Sequence, residues 1–259
     1  MSYGPPRKRF GQHFLHDPGV LERIVAAVAP TPEDHLVEIG PGRGALTRPL
    51  LARVGRLDVV ELDRHLASQL TKELQDKRLH VHQGDALRFD FGALGESLRL
   101  VGNLPYNIST PLLFHLLGYS RHFTDLHVML QKEVVERMAA APGGREYGRL
   151  TVSLAARCRV EKLFVIRPGA FTPPPKVDSA FARLVPDPDR RAQLVSEALF
   201  DEIVTRAFSM RRKRISNGLR GLVDAAELEQ LGVDPASRPQ TIAVDAFIRV
   251  ANYCANRNS

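Results

Sequence analysis

The sequence predicts an α/β fold, a mostly parallel sheet with helices on both faces and an antiparallel edge, followed by a small all-α domain. Three observations predict it. From about residue 35, short apolar runs alternate with stretches of helical period, the rhythm of βαβ units. After residue 148, "VEKLFVI" and "VDSAFARLV" bracket the proline-rich "RPGAFTPPPK", which suits an antiparallel pair because no helical crossover is needed. Beyond "PDPDRR", residues 186–191, helical spacing continues and strand signals stop. The expected division is 1–186 for the α/β domain, 187–259 for the helical one, and 186–191 as a linker.

The elements follow in order. "HLVEIG" is a strand and "ALTRPLLARV" a helix with a buried stripe at Leu46, Leu50 and Val54. "RLDVVEL" is a strand, "RHLASQLTKELQ" a helix, and "LHVHQ" and "LRLVGN" two more strands. "STPLLFHLL" is a helix that Ser109 is placed to cap, with Pro111 in its first turn. "LHVML" and "KEVVERMAA" repeat the alternation once more. The C-terminal part reads as helices throughout, with no internal repeat.

Composition excludes several classes. Of 259 residues, 44% are hydrophobic and 25% charged, an ordinary globular balance. No run approaches the ~18 apolar residues of a membrane span, and the basic start has no apolar segment behind it, so no secretory signal is read. Cys158 and Cys254 are too few and isolated for a disulfide framework or a metal site, which suits a reducing cytoplasm.

The net charge of +7 is unevenly spread. Residues 1–14 carry +3, residues 142–183 carry +5 and residues 204–220 carry +6, leaving −7 on the rest. Positive charge gathered into three segments of an otherwise acidic chain has the form of a polyanion footprint. Its candidate phosphate-binding residues are Arg7, Lys8 and Arg9, then Arg145 and Arg149, then a helix face around Arg211, Arg212, Lys213 and Arg214. Four adjacent basic residues wrap most of a helical turn, so some of them serve only as solvated charge.

The strand ends carry the chemistry. "VEIGPGRGALT" links the first strand to the first helix, and its glycines allow the tight turn and close backbone approach of a nucleotide-like ligand. Gly40, Gly42 and Ala45 also satisfy the looser dinucleotide pattern, so the loop alone fits a dehydrogenase as well as a methyltransferase. Glu61 ends the second strand 21 positions after Gly40, where an acid can accept both ribose hydroxyls. Asp63 is its neighbour and competes either for that role or as a helix cap. Asp85 ends the third strand, where an adenine amine can donate to it. Gly40, Glu61, Asp85 and Asn103 all stand at carboxyl ends of strands and should line one crevice. Asn103-Leu104-Pro105-Tyr106 then sets an amide and a phenol ring on a stiff turn. An ordinary turn would use Asn and Pro too, but it leaves the other three positions unexplained.

"KRFGQHFL", "VEIGPGRGALT", "VVELD", "GDAL", "NLPYNISTPL", "QKEV", "YGRL" and "FTPPPKVDSA" together resemble the KsgA family of ribosomal RNA adenine dimethyltransferases. The match runs from about residue 7 to 183, with "RRKRISNGL" and "ANY" extending it. The resemblance implies a Rossmann-like S-adenosylmethionine methyltransferase sheet with a small helical RNA-binding domain. It implies S-adenosylmethionine as cofactor, bound through His13, Leu15, Gly40, Gly42, Glu61, Asp85 and Asn103. Position 13 is His where relatives often have Asn. The implied catalytic set is Asn103, Leu104, Pro105 and Tyr106, with Tyr106 stacking on a target adenine and Phe171 forming the second wall. The implied partner is the small ribosomal subunit and its rRNA, met by a cytoplasmic monomer with no metal and no membrane association. Two other functions compete: a large-subunit rRNA adenine methyltransferase of the antibiotic-resistance type, and a ribosome-assembly factor with an inactive methylase fold. A nicotinamide dehydrogenase leaves Asn103 to Tyr106 without a role.

Overall fold

The computed structural model describes residues 13–257; Arg7, Lys8 and Arg9 lie outside them. The strands are β1 (Phe14–Leu15), β2 (His35–Ile39), β3 (Arg56–Glu61), β4 (Leu79–Gln83), β5 (Leu98–Asn103), β6 (Phe123–Gln131), β7 (Cys158–Ile166), β8 (Phe171–Thr172) and β9 (Ser179–Pro186). The helices are α1 (Pro18–Val28), α2 (Thr47–Leu51), α3 (Arg64–Glu73), α4 (Ser109–Gly118), α5 (Lys132–Met138), α6 (Arg149–Ala155), α7 (Pro188–Ala192), α8 (Glu197–Ser209), α9 (Ile215–Gly218), α10 (Ala225–Gln230) and α11 (Val244–Arg257).

Seven strands form one sheet in the order β4-β3-β2-β5-β6-β9-β7. β2 pairs in parallel with β3 and β5, β3 with β4, and β5 with β6, while β9 runs antiparallel to β6. The chain steps outward from β2 to β4 and then returns to the far side of β2 for β5. This reversal leaves a crevice between the carboxyl ends of β2 and β5, the usual ligand position in such sheets. Gly102 keeps that junction tight. A Cβ there would lie 2.8 Å from the Ile39 carbonyl oxygen, so the residue before Asn103 has no room for a side chain.

One face of the sheet packs Leu36, Val59, Val101 and Met129 against Ile24, Val25 and Val28 of α1. The predicted stripe Leu46, Leu50 and Val54 is buried. β1 and β8 form a separate antiparallel pair, with Phe14 opposite Thr172 and Leu15 opposite Phe171. No sequence periodicity announces it, because each strand is only two residues long.

The chain divides into two compact units. One runs up to Val135 and includes Glu161–Pro186; the other holds Glu136–Val160 and everything described from Asp187 onward. The expected single block 1–186 therefore loses residues 136–160. The cause is their packing: Tyr147, Val152 and Ala156 share a buried cluster with Phe200, Ile203, Phe247 and Val250. The Tyr147 hydroxyl donates to the Ile242 carbonyl at 2.8 Å. Buried Arg157 needs Glu197 at 3.1 Å and Asp201 at 3.0 Å to offset its desolvation.

Three local expectations also change. The "PDPDRR" linker is largely helix α7, capped by Asp187, which accepts from the Arg190 amide at 3.0 Å. Ser109 does not cap α4: it is the first helical residue, and its hydroxyl donates to the Tyr106 carbonyl at 3.1 Å. The basic run 211–214 is not a helix face. α8 ends at Ser209, and the run forms the turn before α9, with the Lys213 amide donating to the Met210 carbonyl at 2.8 Å.

Candidate active site

A cavity of about 600 Å³ opens at the carboxyl ends of β2, β3, β4 and β5, within the usual range for small-molecule sites. His13, Leu15, Gly40, Gly42, Glu61, Asp85, Asn103, Leu104, Pro105 and Tyr106 all line it. Phe171 does not. Its side chain is 2% exposed and packs with Leu15 and Phe181 in the core. Pairing of β8 with β1 turns the Phe171 ring inward, so the expected second wall is a core residue.

Gly42 has φ +57°, a conformation that disfavours any residue with a Cβ. Its amide donates to Glu61 Oε2 at 3.1 Å, and the Asp63 amide donates to Glu61 Oε1 at 2.8 Å. Glu61 is thus a fixed, buried carboxylate whose remaining lone pairs are available to ligand hydroxyls. Burial raises its pKa, although both backbone donors oppose the shift. Asp63 resolves the ambiguity of the sequence: it caps α3, accepting from the His65 amide at 2.9 Å. Asp85 accepts from the Leu87 amide at 3.0 Å, which fixes its carboxylate at the cavity edge.

The turn after β5 is held from several sides. The Asn103 side-chain NH₂ donates to the His13 carbonyl at 2.9 Å, which commits the amide orientation and leaves Oδ1 as an acceptor. The Leu104 amide donates to the Met129 carbonyl at 3.1 Å, tying the turn to β6. The Tyr106 ring stacks on the His13 ring at a centroid distance of 5.6 Å and an interplanar angle of 27°. His13 Nδ1 lies 2.7 Å from the Pro173 carbonyl oxygen. His13 therefore meets the turn through both its backbone and its ring, a pairing that residue spacing alone does not reveal.

Three lining or supporting residues are not singled out by the sequence motifs. Leu62, 46% exposed, offers an apolar surface beside Glu61. Ser179 lies 2.5 Å from the Tyr106 hydroxyl. Glu38, inside the glycine-loop motif, is a buried cavity residue that accepts from the Thr47 hydroxyl at 2.7 Å. Alternation along β2 could have flagged it, since an acid between Val37 and Ile39 has no apolar reason to be there. Burial pushes the Glu38 carboxyl up to about 8, opposed by Thr47 and reinforced by the Glu61 charge.

That shift has a testable sign. The folded state keeps the Glu38 proton up to about pH 8, whereas an unperturbed glutamate releases it near 4.5. The contribution to stability is complete below about pH 4.5 and is lost as pH rises to about 8, by at most ~1.4 kcal/mol per pH unit. Glu38→Gln keeps an acceptor for Thr47 and removes the titration. Denaturant unfolding of the cofactor-free protein should show the variant gaining on the parent from pH 5 to 8. A pH-independent difference would mean that Glu38 titrates normally.

The basic candidates of the second unit lie outside the cavity lining. Arg211 is held in place, its Nε donating to Gln240 Oε1 at 3.1 Å and its Nη2 to the Arg145 carbonyl. Arg145, Arg149, Arg212, Lys213 and Arg214 are exposed. Among the described residues no group of His, Cys, Asp and Glu is arranged to hold a metal ion, and no helix is long and apolar enough to cross a membrane.

A family model described as ribosomal RNA adenine dimethylase matches residues 5–256. The chain is 52% identical to ribosomal RNA small subunit methyltransferase A of Chromobacterium violaceum, covering 100% of this chain and 99% of that protein. A solved dimethyladenosine transferase from Plasmodium falciparum superposes with a TM-score of 0.81 at 26% identity, covering 95% of this chain and 98% of that one. The 23S rRNA methyltransferase ErmE superposes with a TM-score of 0.71 at 25% identity, covering 93% and 99%. A match spanning nearly the whole sequence, over a cavity at the switch point of a Rossmann-like sheet, has one meaning: the chain belongs to the ribosomal RNA adenine dimethylase family and is an S-adenosylmethionine-dependent rRNA methyltransferase.

Proposed function

We propose that the enzyme methylates the N6 amine of two adjacent adenosines near the 3′ end of small-subunit (16S) rRNA, giving N6,N6-dimethyladenosine during ribosome biogenesis. One observation carries the reading: Asn103 stands at the cavity with its NH₂ committed to His13 and its Oδ1 left to accept. The small-subunit assignment is supported by the full-length 52% relative, against 25% identity to the 23S enzyme.

The cavity chemistry suits the cofactor. Glu61 would take the ribose hydroxyls, Asp85 the adenine amine, and Leu62 an adenine face. Two buried carboxylates with raised pKa values, Glu38 and Glu61, are better tolerated once cationic or hydroxyl groups lie beside them. S-adenosylmethionine supplies a methyl group on a sulfonium centre.

The protein's part is positioning. The exocyclic amine of adenine is a poor nucleophile because its lone pair is delocalised into the ring, and it must pyramidalise to attack. Asn103 Oδ1 and the Leu104 carbonyl would accept its two hydrogens and aim the lone pair at the methyl carbon. Pro105 stiffens the turn, and Tyr106 stacks on an adenine taken out of its RNA stack. Positive charge moves onto nitrogen as the bond forms, and the proton leaves afterwards to water. A strong general base is not required.

We further propose that the enzyme works as a cytoplasmic monomer on the small ribosomal subunit, with Arg145, Arg149, Arg212, Lys213 and Arg214 meeting phosphate while Arg211 braces the turn that presents the last three. Replacing Arg212 and Arg214 by Ala should flatten the salt dependence of RNA binding by about 0.7–0.9 log units for each phosphate left without its cation. Equal slopes for variant and parent would make these residues solvated charge only.

Nucleoside mass spectrometry of small-subunit rRNA tests the function. Dimethyladenosine should disappear in cells lacking the protein and return on complementation. Its persistence, or a loss confined to large-subunit rRNA, would overturn the assignment.

A further inference from the structure

Tyr106 sits in a turn, yet its ring is held at both ends of its reach. Its hydroxyl lies 2.5 Å from the Ser179 Oγ, and one of its faces is stacked on His13. Ser179 is fully buried and is the first residue of β9, in register with Gln131 of β6. The anchor is therefore part of the sheet, while the ring it holds belongs to a loop. A tyrosine side chain has only two torsions to fix, and an anchored hydroxyl together with a covered face leaves it a single orientation. A short bond between two buried or half-buried hydroxyls has no solvent substitute if either partner is removed.

We propose that Ser179 is a positioning residue for the second methyl transfer, holding the Tyr106 ring where it keeps the half-modified adenine stacked. The proposal rests on the reading of Tyr106 as the stacking surface. An unmodified amine offers two hydrogens to Asn103 Oδ1 and the Leu104 carbonyl, whereas a monomethylated amine offers one. The base then depends more on stacking to stay in line, and a ring free to rock loses more in the second step than in the first. Ser179 does not itself line the cavity; it acts through Tyr106, which does.

The test compares Ser179→Ala, Tyr106→Phe, the double variant and Tyr106→Ala on small subunits prepared from cells lacking the enzyme. The readout is the ratio of mono- to dimethyladenosine by nuclease digestion and mass spectrometry, with cofactor affinity from calorimetry. Ser179→Ala and Tyr106→Phe should each raise the ratio by roughly threefold to tenfold, the scale of one buried hydrogen bond. The double variant should match either single one, because both remove the same bond, and cofactor affinity should not change. If Ser179→Ala fails to fold, Tyr106→Phe removes the bond from the other side and carries the measurement. Parental ratios in both single variants, or additive losses in the double, would overturn the role of Ser179 while an impaired Tyr106→Ala leaves the stacking reading intact. An unimpaired Tyr106→Ala would instead remove the reading beneath it.

Discussion

Asn103→Ala should lower turnover by at least ~10²–10³-fold while leaving S-adenosylmethionine affinity within about twofold of the parent. The Asn103 oxygen is aimed before the substrate arrives, because the amide's NH₂ donates to the His13 carbonyl at 2.9 Å. An acceptor fixed in this way interacts most strongly with the amine as positive charge develops on it, so its loss falls on the transition state. A fall in kcat with an unchanged KM for RNA is the corresponding kinetic signature. The side chain is only half-buried, so its truncation opens no large core cavity. Single-turnover methylation and calorimetry on the folded variant measure the two quantities separately. Dimethylation at the parental rate would show that the Asn103–Tyr106 turn is not catalytic.

The strands ending at Glu61 and Asn103 are legible because each is a short apolar run stopped by a polar or turn-forming residue. A parallel sheet then brings those ends together without further information. What the sequence hides depends on partners distant in the chain. Phe171 reads as an aromatic in a proline-rich loop; only its pairing opposite Leu15 makes it core. Tyr147, Val152 and Ala156 are buried, but nothing local in the sequence says that the surface they meet belongs to α8 and α11. The basic run 211–214 contains good helix formers, yet the chain turns there so that α9 can fold back on α8. The close approach is visible at Gly218, where a Cβ would lie 3.2 Å from the Ala207 Cα. Tertiary packing overrides propensity at that point. Glu38 is legible only in part: an acid between Val37 and Ile39 stands out in the strand, but its Thr47 partner lies across the glycine loop in α2.

Glu61→Ala should weaken S-adenosylmethionine binding by about 10-fold or more. Charge-assisted hydrogen bonds contribute about 1.5–3 kcal/mol each, and the proposed contact uses the carboxylate for two ribose hydroxyls. The substitution also releases the Gly42 and Asp63 amides that Glu61 now accepts at 3.1 and 2.8 Å, so the loop that shapes the cavity loses its brace. Glu61→Gln should recover only part of the affinity. Both carboxylate oxygens face backbone N–H donors, and an amide must turn its NH₂ toward one of them. Asp63→Ala separates the neighbouring acid from this role. It removes the α3 cap, at a cost of about 0.5–2 kcal/mol in stability, and should leave cofactor affinity within a few-fold of the parent. Isothermal calorimetry on the three folded variants distinguishes the assignments. Parental affinity in Glu61→Ala with a loss in Asp63→Ala would move the ribose contact by two residues; parental affinity in both would remove the carboxyl end of β3 from the cofactor site.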